Sequence, residues 1–393
     1  METRAGDPGA FAQFDLNRVD SPAFVVDAAR LRENLRILAD VGERSGARVL
    51  GALKAFSMWS TAPIIGEYLD GVCTSGLWEA RLAGEFYDGE IATYCAAYKA
   101  EDLPEILRLS DHVIFNSPRQ IERFQPLIAT ARAEGHQFDI GLRLNPMHAE
   151  GEVPRYDPCA PHSRLGFPID QLTAEHMAMI DGVHMHTLCE QDFEPLARTW
   201  DVVFDRLEPF FGEFSWINLG GGHHITRADY QREELIGFLL DMAEDTGAQV
   251  YLEPGEAVAL DAGILVGTVL DLGWNAMPVA ITDISATCHM PDVIEAPYRP
   301  ALLGEREPSD EAEAVRLGGP SCLAGDVIGD YVLPEAPEPG TRFAFLDQAH
   351  YSMVKTTTFN GVPLPSIWLW DSETDALECV KRFDWETFRD RLS

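Results

Sequence analysis

Lysine is scarce in this chain, and one lysine stands where it could act as a nucleophile. The chain has four lysines, and Lys54 directly follows the apolar run "VLGAL" at 49–53. Such a position should partly desolvate the side chain, which favours a neutral amine, and a neutral amine can form a Schiff base with an aldehyde. Taken alone, the stretch fits better with a lysine that ends a strand and extends to water.

Two further motifs carry groups that could bind a ligand. The stretch "NLGGGHH" at 218–224 contains a glycine triplet, and glycine lets backbone N–H groups approach a phosphate closely. Glu253 ends an apolar run just before a proline, and a buried glutamate needs a protonated or cationic partner. His223 and His224 have no carboxylate at ligand spacing, so we interpret them as loop histidines and predict no metal site.

The elements that must position these residues follow an alternating pattern. Segments with helical spacing separate eight short apolar runs, which we predict to be strands, at 49–53, 71–74, 91–94, 112–115, 139–144, 182–187, 215–219 and 249–253. This alternation predicts an α/β fold, a (β/α)8 barrel over residues 21–256. From 257 to 393 strand-like runs continue without helices between them, which indicates a mostly β domain, joined by residues 1–20.

Barrel enzymes place their chemical groups at the C-terminal ends of the strands. The predicted strand ends carry, besides Lys54, a set of polar residues and the glycine triplet: Ser75, Tyr94, Asn116, Arg143, His186, 220–222 and Glu253. This coincidence favours a site. A Schiff-base lysine, a phosphate cradle and a carboxylate that can face a pyridinium nitrogen are the parts that pyridoxal 5'-phosphate (PLP) requires.

Composition excludes several classes of protein. The formal net charge of -34 argues against nucleic-acid binding, and it fits either a strongly solvated surface or a field that attracts a cationic substrate. No apolar run reaches the length of a membrane span, and the N-terminal stretch does not read as a signal peptide. The seven cysteines are odd in number and scattered, which predicts reduced thiols and a cytoplasmic protein.

From about residue 21 to the end, the chain resembles the fold-type III PLP-dependent decarboxylases, which share the barrel of alanine racemase. Within that group it most resembles the carboxynorspermidine/carboxyspermidine decarboxylases. The motifs that carry the resemblance are "ALKAFS", "HMHTLCE", "NLGGGHH", "EPGEA", "GPSCLAGDVIGDY" and "FLDQAHYSMVKTTTFNG". The resemblance implies a PLP-dependent carboxy-lyase of polyamine biosynthesis that acts on a small cationic polyamine precursor.

The resemblance also implies a role for each matching residue. Lys54 would hold PLP as an imine, His186 would stack on its ring, and Glu253 would keep the ring nitrogen protonated. Arg143 would support the cofactor-facing network. The phosphate would be held by the backbone N–H groups of a glycine triplet together with one tyrosine: Gly220, Gly221, Gly222 and Tyr351.

Residues of the second domain would act across a homodimer interface in the related enzymes. Cys322 would protonate the substrate carbon after decarboxylation, and Asp326 would bind a substrate ammonium. Without the resemblance, the stretch "GPSC" would be interpreted as a turn in which cysteine is a small apolar filler.

One residue departs from the wider group, in which many members carry an arginine after "EPG" that helps to hold the phosphate. Here that residue is Glu256, so the phosphate must depend more on backbone donors and Tyr351. Glu256 could instead reach a distal ammonium of a polyamine. Glu190 and Asp192 are further candidates for that role, and surface solvation explains Asp192 equally well.

Two alternative functions stay open at this point. The first is a diaminopimelate- or ornithine-type decarboxylase on the same scaffold. A distal carboxylate would call for a basic clamp, for which the sequence offers only Arg143, Arg155 and Arg164. The second is a catalytically silent, PLP-binding regulatory homologue, which the joint presence of Lys54 and Cys322 disfavours.

Overall fold

The structure of the chain is a computed structural model that describes residues 6–151, 153–307, 309 and 313–393. The chain forms two compact units. One is Glu33–Val258, which we call the barrel domain, and the other joins the residues up to Arg32 with Ala259–Ser393 and is called the sheet domain.

The first strand and helix lie where the two domains meet in sequence. Strand β1 (Ala23–Asp27) is buried along its whole length and belongs to the sheet domain, and helix α1 (Ala28–Ser45) follows it directly. The barrel domain therefore starts at Glu33, later than the residue 21 expected from the sequence. In β1 the side chains on both faces of the strand are buried. Such an apolar run fits an internal strand of either domain, so the sequence pattern does not reveal which sheet the strand joins.

Eight parallel strands form a closed barrel, as the sequence predicted. They and one short extra strand are β2 (Arg48–Ala52), β3 (Gly71–Thr74), β4 (Glu90–Tyr94), β5 (His112–Phe115), β6 (Asp139–Asn145), β7 (Phe167–Pro168), β8 (Gly182–His184), β9 (Trp216–Asn218) and β10 (Gln249–Leu252). Strand β2 pairs with both β3 and β10, which closes the ring, and β7 pairs only with β6.

Helices alternate with the barrel strands along the chain, which is the α/β pattern that the sequence predicted. They are α2 (Ala62–Gly66), α3 (Leu77–Phe86), α4 (Leu103–Leu109), α5 (Pro118–Ala133), α6 (Ala174–Met177), α7 (Phe193–Leu207), α8 (Arg232–Thr246) and α9 (Glu256–Ala259). Among the described residues, none of the helices is long and apolar enough to cross a bilayer.

A single tryptophan fills much of the barrel interior. Trp216 is buried in a cluster with Leu50, Ile114 and Tyr251. A Cβ atom at Gly182 would lie 2.0 Å from the Trp216 ring, closer than real Cβ atoms come to a neighbour. The indole therefore occupies space that a side chain on β8 would need, and glycine on β8 lets the barrel close around it.

The sheet domain contains the strands β11 (Gly263–Trp274), β12 (Pro278–Thr282), β13 (Val315–Gly318), β14 (Val327–Tyr331), β15 (Arg342–Phe345), β16 (Ser366–Asp371) and β17 (Ala376–Lys381). Their order is β14-β13-β12-β11-β1-β16-β17, with β15 paired to β11. Three helices complete it: α10 (Ala286–His289), α11 (Asp292–Glu295) and α12 (Trp385–Leu392). Phe11 and Phe14 pack against Trp370 in its core, so the N-terminal residues join this domain.

The fit of Trp216 against Gly182 gives a test of the barrel. We expect Gly182→Ala to lower the free energy of unfolding by about 1–3 kcal/mol, because the added methyl group overpacks the interior. The midpoint of urea unfolding measures the change. Gly237→Ala is the matched control, since Gly237 is exposed in α8 with nothing within 4 Å of an added Cβ. This control should gain up to about 1 kcal/mol in helix propensity. A Gly182→Ala protein as stable as the original would contradict this packing.

Candidate active site

The predicted lysine lies beside the predicted histidine at the C-terminal end of the barrel. Lys54 follows β2 by two residues, and its Nζ atom is 3.4 Å from Nε2 of His186, just beyond β8. The apolar run before it is buried, but the side chain of Lys54 is exposed. The expected desolvation of Lys54 is therefore wrong, because its side chain reaches solvent although Leu53 and Ala55 on either side of it are buried.

His186 is fixed in one tautomer by the glycine loop. The Gly221 N–H donates to Nδ1 of His186 at 3.0 Å. Burial lowers the pKa of His186 well below its usual value, and the charges of Lys54 and Arg143 act in the same direction. The neutral ring then carries its proton on Nε2, which faces Nζ of Lys54. Nζ of Lys54 is thus held beside a neutral imidazole. Both contacts lie in the ring plane, so a face of the ring is the part that can stack.

Glu253 is a buried carboxylate with two donors from neighbouring strands. Nε2 of His184 lies 3.2 Å from one of its oxygens, and Nδ2 of Asn218 donates to the other at 2.8 Å. Burial acts to raise the pKa of Glu253, but the interactions with His184 and Asn218 outweigh it, and the pKa is lowered. Burial lowers the pKa of His184, which therefore donates as a neutral imidazole. The result is an ionised carboxylate that can accept a hydrogen bond from a further donor.

Two further side chains, Tyr94 and Arg143, support His184 and the backbone of His186. Tyr94 stacks on His184 with ring centroids 5.6 Å apart, and the Arg143 guanidinium lies 4.5 Å from the centroid of Tyr94. Arg143 also donates to the backbone carbonyl of His186 at 3.0 Å. Arg143 therefore holds the neighbouring residues in place, and its support of a cofactor stays a prediction.

Sequence reasoning did not identify His184 and Asn218 as partners of Glu253. The signal was present in the register, since His184 and Asn218 are paired residues of adjacent parallel strands. Paired residues point to the same face, so a polar residue on each indicates a shared internal partner.

The glycine triplet is required by the close approach of neighbouring backbones. A Cβ atom at Gly221 would lie 2.0 Å from the carbonyl oxygen of Glu253, and one at Gly222 would lie 2.0 Å from that of Leu188. Gly220 and Gly222 also have φ angles of +69° and +91°, which favour glycine. The loop is thus a narrow cradle that side chains would fill, which fits the backbone approach expected for a phosphate.

The cradle offers fewer amides than the sequence predicted. The Gly220 N–H donates to Oδ1 of Asn218 at 2.8 Å, and the Gly221 N–H is bound to His186. Among the residues that the structure describes, the Gly222 and His223 amides have no acceptor in the chain. The expectation that all three glycine amides bind phosphate is therefore wrong for Gly220 and Gly221, because their N–H groups position other site residues.

The acidic candidates of the barrel differ in their surroundings. Nε2 of His224 lies 3.1 Å from an oxygen of Glu256. Arg227 forms an ion pair with Asp192. Glu190 lies in the exposed loop after β8, with a φ angle of +53°. The arginine accounts for Asp192, so this residue is no longer a candidate for binding a substrate ammonium. In the described parts of the chain, no group of three or more metal-ligating side chains comes together.

Three predicted residues belong to the sheet domain. Cys322 is exposed, and its backbone N–H donates to Asn360 at 2.8 Å. Tyr351 is half-buried, with a φ angle of +44° in the left-handed region. Their roles toward the cofactor and substrate stay predictions.

Asp326 has a structural role within the sheet domain. It is only 4% exposed, and its carboxylate accepts hydrogen bonds from the Ser285 hydroxyl, the Thr287 amide, and the amide and hydroxyl of Ser321. The expectation that it binds a substrate ammonium is therefore not supported, because donors of its own chain surround it. It holds the turn that carries Cys322.

Comparisons with known proteins give matches over most of the chain. The family described as "Pyridoxal-dependent decarboxylase, C-terminal sheet domain" matches residues 23–349. The carboxynorspermidine/carboxyspermidine decarboxylase of Campylobacter jejuni is 39% identical, over 94% of this chain and 98% of that protein. The carboxyaminopropylagmatine decarboxylase of Synechocystis is 37% identical, over 96% of each chain.

Solved structures show the same fold. The crystal structure of carboxynorspermidine decarboxylase from Campylobacter jejuni, complexed with norspermidine, has a TM-score of 0.87 at 38% identity, covering 95% of this chain and 100% of that one. Diaminopimelate decarboxylase from Helicobacter pylori, complexed with L-lysine, has a TM-score of 0.81 at 18% identity, covering 96% and 98%. The second match bears on the fold alone.

The narrow cradle can be tested by adding one methyl group. We expect Gly221→Ala to weaken PLP binding at least about tenfold, because overpacking costs about 1–3 kcal/mol and would separate the loop from Glu253. Titration of the visible absorbance of PLP measures the affinity, and far-ultraviolet circular dichroism checks the fold. Gly76→Ala is the matched control, since an added Cβ there meets nothing within 4 Å. A well-folded Gly221→Ala protein with the original PLP affinity would refute the cradle.

Proposed function

Because the chain belongs to the family of pyridoxal-dependent decarboxylases, we propose that it decarboxylates carboxynorspermidine or carboxyspermidine to give norspermidine or spermidine. PLP is the cofactor, and the reaction belongs to polyamine biosynthesis. The observation that carries the proposal is the grouping of Lys54, neutral His186 and ionised Glu253 at one end of the barrel. Similarity over nearly the full length to the Campylobacter jejuni enzyme supports the substrate class.

The residues of the barrel divide the work between them. When bound, PLP supplies an aldehyde that captures an amine and a ring that accepts the electron pair left by carbon dioxide. Lys54 would be the amine that holds the cofactor. His186 would offer a ring face to the cofactor, and the edge of the imidazole is held by the Gly221 amide.

Glu253 sets the charge of the ring. Its ionised carboxylate, already held by His184 and Asn218, would accept a hydrogen bond from the protonated ring nitrogen, and its negative charge would keep that nitrogen cationic. A cationic ring withdraws electrons more strongly than a neutral one. Since the carboxylate is fixed before the reaction starts, no reorganisation is needed as charge develops.

A homodimer is part of the proposal. The exposed Cys322 thiol of one subunit serves as proton donor in the active site of the other, returning a proton to the carbon that lost carbon dioxide. All seven cysteines are free thiols, in keeping with a cytoplasmic enzyme. The net charge of -34 draws a polycationic substrate towards the protein, an effect that falls with ionic strength.

One relative favours a second candidate substrate. The Synechocystis protein, named for carboxyaminopropylagmatine, is nearly as similar as the Campylobacter jejuni protein. These substrates differ at the distal end, where a guanidinium replaces a primary ammonium. The chemistry at Lys54 and Glu253 is the same for both.

A panel of substrates tests the function. We expect carbon dioxide release from carboxynorspermidine or carboxyspermidine with a kcat/KM at least about 100-fold above that for diaminopimelate or ornithine, because the strongly negative chain favours a polycationic substrate over one with a distal carboxylate. The fastest turnover on carboxyaminopropylagmatine would establish the second candidate. The fastest turnover on diaminopimelate or ornithine would contradict the substrate class, and PLP binding without any turnover would indicate the silent homologue.

Complementation tests Lys54, Cys322 and the dimer together. Lys54→Ala should abolish carbon dioxide release and borohydride fixation of PLP, whereas Lys99→Ala should do neither. Cys322→Ala should lower turnover while leaving fixation intact. Refolding equal amounts of the Lys54→Ala and Cys322→Ala chains together should restore up to about a quarter of the original activity, because half of the two-fold dimers then contain one intact site. No recovery, with mixed dimers demonstrated, would contradict a shared site.

A further inference from the structure

The glycine cradle of the barrel domain offers little positive charge to balance the negative charge of a phosphate. A phosphate ester carries close to two negative charges at neutral pH. Gly220 and Gly221 use their amides within the chain, and the residue after "EPG" is the acid Glu256. An acid near this loop would repel the phosphate unless a cation met its charge. The structure must therefore supply a cation from elsewhere in the loop.

The stretch from 220 to 227 contains three basic side chains, and two of them are engaged elsewhere. Arg227 is bound by Asp192 and Asp229. His223 is buried with Nδ1 2.6 Å from the Tyr230 hydroxyl. Burial, together with the charge of His224, lowers the pKa of His223 to about 3, so it stays neutral. His224 is the remaining basic group.

His224 is held where it can serve as that cation. It lies two residues after Gly222, it is 7% exposed, and its Nε2 atom lies 3.1 Å from Oε2 of Glu256. A carboxylate hydrogen-bonded to an imidazole stabilises the protonated ring. The acid that would otherwise repel a phosphate is therefore paired with the His224 ring.

We propose that His224 is a phosphate-binding residue of the cofactor site and that Glu256 is its positioning residue. The inference rests on the proposed function only in that PLP is the cofactor. Many relatives carry a cation at the position after "EPG". In this chain the corresponding cation is His224 of the glycine loop, and the carboxylate of Glu256 maintains its charge. Glu256 then acts on the cofactor through His224, and not on the substrate ammonium as the sequence suggested.

The test compares PLP with pyridoxal, which lacks the phosphate. The full-length protein, freed of cofactor, is titrated with each compound, and the affinity is read from visible absorbance. We expect His224→Leu to weaken PLP binding at least about tenfold, the effect of losing a charged hydrogen bond, and to change pyridoxal binding less than about twofold. His136→Leu, remote in the loop after α5, is the control and should change neither affinity.

Glu256 variants show whether the two residues act as a unit. Glu256→Gln should weaken PLP binding in the same direction as His224→Leu but less, and the double variant should bind PLP no more weakly than His224→Leu alone. Glu256→Arg in the His224→Leu background should recover PLP affinity, since it returns a cation to the same region.

Three results would overturn the inference. One is an equal loss of PLP and pyridoxal affinity in His224→Leu, which indicates a structural role. Another is no loss of either affinity. The third is a Glu256→Gln protein that keeps its PLP affinity while KM for the triamine rises, which returns Glu256 to substrate binding. Failure of the proposed substrate class leaves this test intact, because it is read from cofactor binding without turnover.

Discussion

The site depends on keeping one carboxylate ionised inside the barrel. Burial alone would protonate Glu253, and a protonated acid could not hold a cationic ring nitrogen. His184 and Asn218 reverse this preference by donating to its two oxygens. Both donors come from paired positions of neighbouring parallel strands, so the register of the barrel is also the geometry of the site. A register shift of one residue would turn both side chains away.

The glycine loop connects this carboxylate to the lysine. Its backbone touches the Glu253 carbonyl region on one side, and its Gly221 amide fixes the His186 ring beside Lys54 on the other. Amides used for positioning are not available to a ligand. Use of the Gly221 amide therefore fixes His186 but leaves fewer N–H donors for a phosphate. A side chain must supply the missing contact with the phosphate. This is a consequence of hydrogen-bond satisfaction, since each backbone N–H donates once.

Sequence reasoning found the barrel because the eight apolar runs alternate with helical spacing, and the strand-end rule then placed Lys54, His186 and Glu253 together. It missed what depends on contacts between distant segments. The partners of Glu253 lie 35 and 69 residues away in the chain, and Asp326 gains a donor 41 residues away. The exposure of Lys54 depends on how the chain turns after β2, and the sheet that β1 joins depends on a strand near the C-terminus. No local pattern encodes these.

The acidity of the chain shows why counting charges misleads at a site. Asp192 and Asp326 are both acids that a polyamine could bind, yet an arginine and a set of hydroxyl and amide donors already surround them. Glu256 differs because its partner is a histidine, whose charge depends on that partnership. At about 4 Å and an effective dielectric constant near 20, one unit charge beside another is worth about 4 kcal/mol. In the proposed arrangement, an acid at 256 without a basic residue at 224 would therefore oppose cofactor binding.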